Sequence, residues 1–435
     1  SSDGYDLIEG DGLNTVNKFK TNTIQIKLGK NLSESLKIKI NARYYTQLID
    51  NIAPNSLSGE TFTSEDNINF TISHKSKKIR TDFEVYFTSY FGDEFLDDEQ
   101  GNRFSESFYD QIFLKPEIKT VYKINNKKEF VFGLGNEYET LNRTYFEIEP
   151  KQNSPFIYFQ YDYNPNEKIN LILGGRFDKY KEYKSQVSPK FSGVYKIQNN
   201  ESIKISMGYG YKTPDFRQLY FNFSNSTVGY TVIGYNVVED VLNQMIDEGQ
   251  IANIIVPIEE FENPLSPERS FGVNIGYDRK IDEKISLSTN LFSNSAKNLI
   301  DYRVIANKTN GQNVFSYYNV NNVSTFGFDI NTKYKADNYF SLSVGYQLLY
   351  AFDLDARKAF ENGEVFARLT PTSPAFRLNK KDYFGLYNRS RHMGVIKINY
   401  NSIDKNFSAN LRFKYRSKYG LYDSNSNNYL DKYDQ

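Results

Sequence analysis

The stretch Leu36-Lys37-Ile38-Lys39-Ile40-Asn41-Ala42-Arg43 decides the fold. Leu36, Ile38, Ile40 and Ala42 fall on one face of an extended chain, and Lys37, Lys39, Asn41 and Arg43 on the other. Period-two alternation marks a β-strand whose two faces meet different surroundings. The same pattern precedes it at Ile24/Ile26/Leu28 and returns at Ile68/Phe70/Ile72, Phe83/Val85/Phe87, Phe130/Phe132/Leu134 and Ile169/Leu171/Leu173. It continues through Ile203/Ile205/Met207, Phe271/Val273/Ile275, Ile285/Leu287, Phe326/Phe328/Ile330, Leu342/Val344/Tyr346, Ile396/Ile398/Tyr400 and Ala409/Leu411/Phe413. With less regular segments near 108–124, 154–164 and 187–197, the count is about sixteen strands.

The links between strands alternate in length. Short polar turns are expected near 29–34, 76–78, 125–128, 164–168, 198–201, 278–284, 336–338 and 402–406. Longer links are expected near 50–65, 92–105, 144–153, 181–187, 213–265, 300–315, 353–389 and 420–435. Tight turns at one end and loops at the other describe an antiparallel transmembrane β-barrel of the outer-membrane type. In hydrocarbon every backbone N–H and C=O must pair within the protein, so strands span a membrane only as a closed wall. No run approaches the length of a transmembrane helix. Tyr pairs near strand ends, such as Tyr44/Tyr45, Tyr161/Tyr163 and Tyr317/Tyr318, suit aromatic girdles at the water interfaces.

Composition agrees. Tyr (36) and Phe (34) are abundant and Trp is absent, yet mean hydropathy is −0.62, so apolar and polar residues must occupy separate surfaces. A soluble propeller or sandwich is the competing all-β architecture. Against it, no blade repeat recurs, and the aromatic face is one that a sandwich would have to bury. Lys+Arg and Asp+Glu balance at 53 each, which gives no reason to expect a nucleic-acid partner. Absence of Cys excludes disulfides, thiolate metal sites and thiol nucleophiles. Two histidines, His74 and His392, exclude a multi-His metal centre within the chain. No Ser/His/Asp grouping is readable, so the chain is expected not to be an enzyme.

Several ordered boxes resemble the barrel of TonB-dependent outer-membrane receptors, especially the Bacteroidetes version. These are Asp3-Gly4-Tyr5-Asp6-Leu7, Gly12-Leu13-Asn14-Thr15-Val16-Asn17, Gly210-Tyr211-Lys212-Thr213-Pro214-Asp215-Phe216-Arg217-Gln218-Leu219-Tyr220 and Asn263-Pro264-Leu265-Ser266-Pro267-Glu268-Arg269-Ser270. Asn298-Leu299-Ile300, Tyr318-Asn319-Val320, Gly327-Phe328-Asp329 and the stretch from Asp382 to His392 follow in family order. The resemblance implies a complete barrel of about twenty-two strands, of which this chain would supply a central part. Residues 1–18 would be a lead-in, 19–420 barrel strands, and 421–435 a truncated extracellular loop.

The resemblance further implies energised uptake of a scarce, bulky small-molecule nutrient: an iron–siderophore complex, haem or cobalamin. Partners would be the TonB complex, acting through a plug domain not in this sequence, outer-membrane lipid or lipopolysaccharide, and a surface lipoprotein. No resident cofactor is expected. A passive sixteen-stranded porin-like channel is the alternative, and a barrel-borne surface hydrolase or adhesin a third class.

Loop 213–265 is the first place to seek the ligand. Tyr220, Phe221, Phe223, Tyr230 and Tyr235 stand among Asn, Ser and Gly, a mixture suited to a flat or hydrophobic ligand. Val238, Val241, Leu242, Met245 and Ile246 recur at helical spacing within 237–249, and this helix is expected to fold the loop down. Pro214, Pro264 and Pro267 mark strand ends at the rim. Arg391 and His392 complete the candidate set at the outer mouth. His392, or Tyr220 or Tyr230, could serve as an axial haem ligand, against the plainer reading of His392 as a rim residue. Asp93, Glu94, Asp97, Asp98 and Glu99 read as a solvated acidic loop, with Ca²⁺ binding the sharper alternative.

Overall fold

The computed structural model describes all residues except 8–13, 54–56, 226–228, 368–372, 381–382, 384, 387, 405, 421–431 and 434–435. Strands β1 (Phe19–Asn31), β2 (Leu36–Ala53), β3 (Leu57–Lys75), β4 (Ile79–Asp97) and β5 (Arg103–Asn125) open an antiparallel meander. It continues through β6 (Lys128–Arg143), β7 (Lys151–Asn166), β8 (Ile169–Asp178), β9 (Gln186–Gln198) and β10 (Glu201–Lys212). An insertion follows, carrying helix α1 (Phe216–Tyr220), strands β11 (Asn222–Asn225) and β12 (Tyr230–Ile233), helix α2 (Val238–Asp247) and strand β13 (Ile251–Ile254). The meander resumes with β14 (Glu268–Lys280), β15 (Ile285–Lys308), β16 (Asn313–Lys335) and β17 (Phe340–Asp353). Helix α3 (Leu354–Asn362) and the two-residue strands β18 (Phe366–Ala367) and β19 (Phe376–Arg377) lead to β20 (His392–Asn401) and β21 (Ser408–Arg416).

Setting aside the short strands of the insertions, sixteen strands form the wall: β1–β10, β14–β17, β20 and β21. Each pairs with its neighbour in sequence, β10 joining β14 across the insertion. Among the described residues β1 pairs only with β2 and β21 only with β20.

Register carries one apolar stripe across the sheet. Ile24 stands opposite Tyr44, Ile40 opposite Phe70, and Val85 opposite Pro116. The stripe passes from Ile118 through Leu134 to Ile157. Further on, Ile205, Ile275, Leu291 and Phe328 sit side by side, as do Val344, Ile396 and Phe413. These side chains are not packed: Leu291 is 57% exposed and Phe413 60%. A wide belt of exposed Leu, Ile and Phe over strands paired each with the next has hydrocarbon as its solvent.

The opposite face is polar and interlocked. The Tyr158 hydroxyl donates to Glu117 at 2.5 Å, and Arg176 pairs with Asp178 and Glu137. Gly133 makes this possible, because a Cβ there would fall 2.2 Å from the Tyr158 ring. Thus Gly133-Leu134-Gly135 is a packing device within a strand.

The tight turns are set by side-chain oxygens that accept from the backbone two and three residues on. Asn166 Oδ1 accepts from Lys168 and Ile169 N–H, Asp282 from Lys284 and Ile285, and Asp337 from Tyr339 and Phe340.

Three of the longer links expected from the sequence are largely strand. Through 50–65, 92–105 and 300–315 the ladders β2–β3, β4–β5 and β15–β16 run on, for example Ile49↔Thr61, Phe95↔Glu106 and Arg303↔Ser316. Alternation fades there because the strands have left the apolar belt and meet polar surroundings on both faces. Pairing no longer needs an apolar side. The expected loop at 421–435 lies almost wholly outside the described residues, as do Gly12 and Leu13.

Leu291→Arg is expected to destabilise the protein refolded into lipid bilayers by about 2–4 kcal/mol, while Asn290→Arg, one residue along and on the polar face, costs under about 1 kcal/mol. Equal effects in a denaturant titration would contradict the assignment of faces.

Candidate functional site

The insertion between β10 and β14 is a folded cap on the loop end of the wall. Asp215 starts α1 with a reciprocal capping box: its Oδ1 accepts from Gln218 N–H at 2.8 Å, and Gln218 Oε1 accepts from Asp215 N–H at 2.9 Å. β11 and β12 form a small hairpin, and β12 runs parallel to β16 in the register Tyr230↔Asn313 to Ile233↔Ser316. β13 lies antiparallel along the end of β15.

Helix α2 forms where its spacing predicts. Val238, Val241, Leu242 and Met245 are buried against Ile233, Val256, Ile305, Ala306 and Val314. Ile246, counted on the apolar side in the sequence, is exposed. Gly249 takes φ +71°, as a left-handed helix end requires. α2 is a fastener, clamping the cap onto the ends of β15 and β16.

The proline boxes lie under this cap. Leu265 is fully buried beside Leu219 and Tyr317. Asn319 accepts from Ser266 N–H and donates to the carbonyls of Ser266 and Asn298, each at 2.9 Å. Glu268 Oε1 accepts from Ile300 N–H at 3.2 Å and faces Lys212 Nζ at 3.4 Å. Asn298, at φ +56°, makes a kink in β15 that Asn319 pins from the next strand.

Four of the five aromatics singled out in the loop belong to one assembly. Phe221 and Phe223 stack at 5.4 Å, Tyr145 meets both edge-on, and Phe223 leads to Tyr230 and thence to Phe315. Tyr220 joins through Phe146 and also packs on Leu219 and Leu265. Tyr235 stands aside: its ring packs on Phe261 and its hydroxyl donates to Glu260 O at 3.0 Å. All five are half-buried.

Below this ledge a cleft of about 490 Å³ opens on the polar face between β3 and β6, lined by Thr61, Thr63, Tyr90, Tyr109, Gln111 and Arg143 among others. Tyr90 and Tyr109 meet edge-to-face at 5.5 Å. Gln111 donates to Glu139 at 2.5 Å.

Arg143 joins cleft to ledge. Its guanidinium carbon lies 5.4 Å from the Tyr109 ring, 5.0 Å from Phe221 and 5.7 Å from Phe146. No carboxylate pairs with it among the described residues, its side chain donating only to Thr144 O. A cation framed by three rings keeps its charge available to a ligand.

Reading the sequence missed Tyr90, Tyr109, Gln111 and Arg143. They sit on three neighbouring strands, β4, β5 and β6, spread from position 90 to position 143 of the chain. Only register unites them.

Burial pushes the Tyr220 and Tyr235 phenols up, with the charges of Glu182 and Glu260 adding to the effect. Both therefore stay protonated at neutral pH, which opposes a phenolate role for Tyr220 on a haem iron. His392 corrects the sequence reading in a second way. It stands opposite Leu348 on the apolar face, with Nδ1 2.7 Å from the Tyr346 hydroxyl. Arg391 lies over Tyr350 on that same side. The two therefore do not join the ledge, and the haem-ligand role of His392 falls with its placement.

The acidic segment is corrected too. Asp93 and Glu94 belong to β4 and point to opposite faces, while Asp97 pairs with Arg103 at 2.7 Å. Asp98 accepts from Gln100 and Asn102 N–H and from the Asn102 side chain, which together hold its carboxyl below the usual range. Among the described residues no group of three or more His, Asp or Glu could hold a metal ion. His74 is exposed at the tight-turn end.

A sixteen-strand antiparallel wall with an apolar outer belt, tight turns at one end and a capped mouth at the other is matched over residues 1–435 by the family model "TonB dependent receptor-like, beta-barrel". The chain belongs to that family. It is an outer-membrane barrel, with the tight turns at one end of the wall and the cap at the other. The family is one of receptors, not of enzymes.

Among solved structures, similar ones include the siderophore receptor PirA from Acinetobacter baumannii (11% identity, 98% of this chain and 61% of that chain, TM-score 0.63). Others are the FrpB iron transporter from Neisseria meningitidis, F3-3 variant (11%, 96% and 63%, 0.60) and the copper transporter OprC (12%, 96% and 61%, 0.61). At such identities the likeness is one of fold, and the chain spans about three-fifths of each of these proteins. No curated protein matches the chain.

Leu242→Ala is expected to cost about 2–5 kcal/mol locally, the penalty for emptying a fully buried leucine site. Limited proteolysis should then cut within 213–267 while the strands stay protected. Whole-barrel unfolding at the same protease dose would contradict the fastener role of α2.

Proposed function

We propose that this chain is the barrel of an energised outer-membrane importer for a scarce, bulky nutrient, and that a siderophore-like iron chelate suits its mouth best. The observation that carries this is the Arg143 guanidinium, held among Tyr109, Phe146 and Phe221 at the lip of a lumen-side cleft. Flat aromatic chelating groups find ring faces there, and a net negative complex finds an uncompensated cation. The cleft is too open to enclose a small metabolite, and a large chelate can cover ledge and cleft together.

Haem and cobalamin remain within the same substrate class, haem without His392 as its iron ligand. Energy would come from TonB acting through a plug domain held against the polar inner face, both supplied from outside this chain. The order of the boxes from Gly210 to Tyr220 and from Asn263 to Ser270 supports assignment to the Bacteroidetes version of the family.

The test is binding of a ferric catecholate siderophore to the full-length receptor in detergent. Arg143→Gln is expected to weaken it about tenfold, the worth of one charge-assisted contact. Tyr220→Ala with Phe223→Ala should weaken it further and leave barrel assembly intact. Affinity unchanged in both variants would remove the mouth from the binding account. A steadily open, ohmic pore of large conductance in the full-length protein would instead support a passive channel.

A further inference from the structure

The inner face of the wall is not uniform in charge. On β2 to β8 inward cations find inward carboxylates: Arg43 meets Glu65 at 2.6 Å, Lys115 lies between Glu117 and Glu137, and Arg176 pairs with Asp178 at 2.7 Å. From β14 to β21 the ladders set a different pattern. One register row runs Lys280, Ser286, Lys333, Ser343, Lys397 and Arg412, each the cross-strand partner of the next. The chain neighbours Leu342, Ile396 and Leu411 belong to the apolar belt, so the row itself faces the lumen. It lies near the tight turns, since Lys280 closes β14 and β16 ends at Lys335.

A recess of about 750 Å³ opens where this row meets β9 and β10, with Lys196, Lys204, Lys280, Lys333, Ser202 and Ser286 in its lining. Lys280 and Lys333 stand two strand spacings apart, about 10 Å. Lys204 is neutralised by Asp278 at 2.7 Å. Lys196, Lys280 and Lys333 are exposed and have no carboxylate partner among the described residues. The other acid of the lining, Glu201, accepts from the Tyr277 hydroxyl at 2.5 Å. Asp282 and Asp337, in the turns below, accept from turn N–H groups. Positive charge is therefore in excess here, and a concave wall of one sign focuses its field on whatever enters.

We propose that this recess is a second binding site, at the turn end of the lumen, for a small multivalent oxyanion. Lysine ammonium groups are point charges on flexible stems, each with three donors, so they close on anions of differing outline. Ser202 and Ser286 add hydroxyl donors between them, and their short side chains leave the recess open. Three uncompensated lysines call for a ligand with two or more negative charges. An acidic protein face offers the same charge but meets only the lysine tips, leaving the recess and its hydroxyls unfilled. The small anion is the occupant that uses both. Lys397 and Arg412 carry the positive row onward along the wall. The site shares no strand with the cleft around Arg143, and its occupancy is tested without the nutrient, so the two readings fail separately.

The experiment is equilibrium dialysis of the full-length receptor in detergent, at low ionic strength, against trimesate, a rigid benzene tricarboxylate. Parallel arms use benzoate and the uncharged triamide of trimesate. Wild-type protein is expected to bind trimesate saturably, benzoate much more weakly and the triamide not at all, with affinity falling as salt is added. K280Q/K333Q should weaken trimesate about tenfold, as two partly screened charge contacts are worth, at an unchanged melting temperature. K280R/K333R, which keeps the charge, should retain most of the binding. K119Q/K123Q, which removes the same charge from the inner face of β5, should bind as the wild type does. Equal binding by wild type and K280Q/K333Q, or equal weakening in K119Q/K123Q, would overturn the proposal. Absence of saturable binding by the wild type would overturn it as well, and a lowered melting temperature of K280Q/K333Q would then assign the lysines to an acidic protein face.

Discussion

Inside hydrocarbon an unpaired peptide group costs several kcal/mol, and no water is present to relieve it. That penalty governs everything else in this chain. It demands continuous ladders from β1 to β21, so the residues between the two end strands give their backbone to both neighbours and have only their side chains left to differ. Because successive side chains alternate, each strand must satisfy two solvents at once. Ile205, Ile275 and Leu291 belong to the lipid, while the hydrogen-bonded and ion-paired groups around Tyr158 and Arg176 belong to the lumen.

Once the ladders rise beyond the belt, the constraint relaxes and the chain can do more varied things. Strands β3 to β6 continue upward with polar residues mixed among the aromatics and shape the cleft around Tyr109 and Arg143. The insertion after β10 abandons the meander and builds a compact cap, held by the buried face of α2 and by Leu265 under the proline box. The box residues Ser266, Glu268 and Asn319 spend their polar atoms on each other and on backbone. Their part is to hold the rim in shape, which in turn holds the aromatic ledge above the lumen. Ligand chemistry rests on that ledge and on Arg143.

The two cation–aromatic groupings at the outer end are alike in composition and opposite in direction. Around Arg143 the rings look inward, onto the path a nutrient would take. Arg391 instead lies over Tyr350, a ring on the belt side of the wall.

The alternation at Leu36–Arg43 and its repeats determined the strand number, the antiparallel order and the membrane setting, because a period of two needs only neighbouring residues to be read. The helix at Val238–Asp247 was legible for the same reason, as was its end at Gly249. Strand length past the belt was not, since Thr61, Asp93 and Arg303 carry no apolar rhythm and are kept extended by ladder partners far away in sequence. The cleft was illegible because Thr63, Tyr90, Tyr109 and Arg143 lie on four separate strands. His392 and Arg391 looked like mouth residues by their position in the chain. Only the pairing of His392 with Leu348, and the seat of Arg391 over the Tyr350 ring, showed where they lie, because register and packing between strands are tertiary facts.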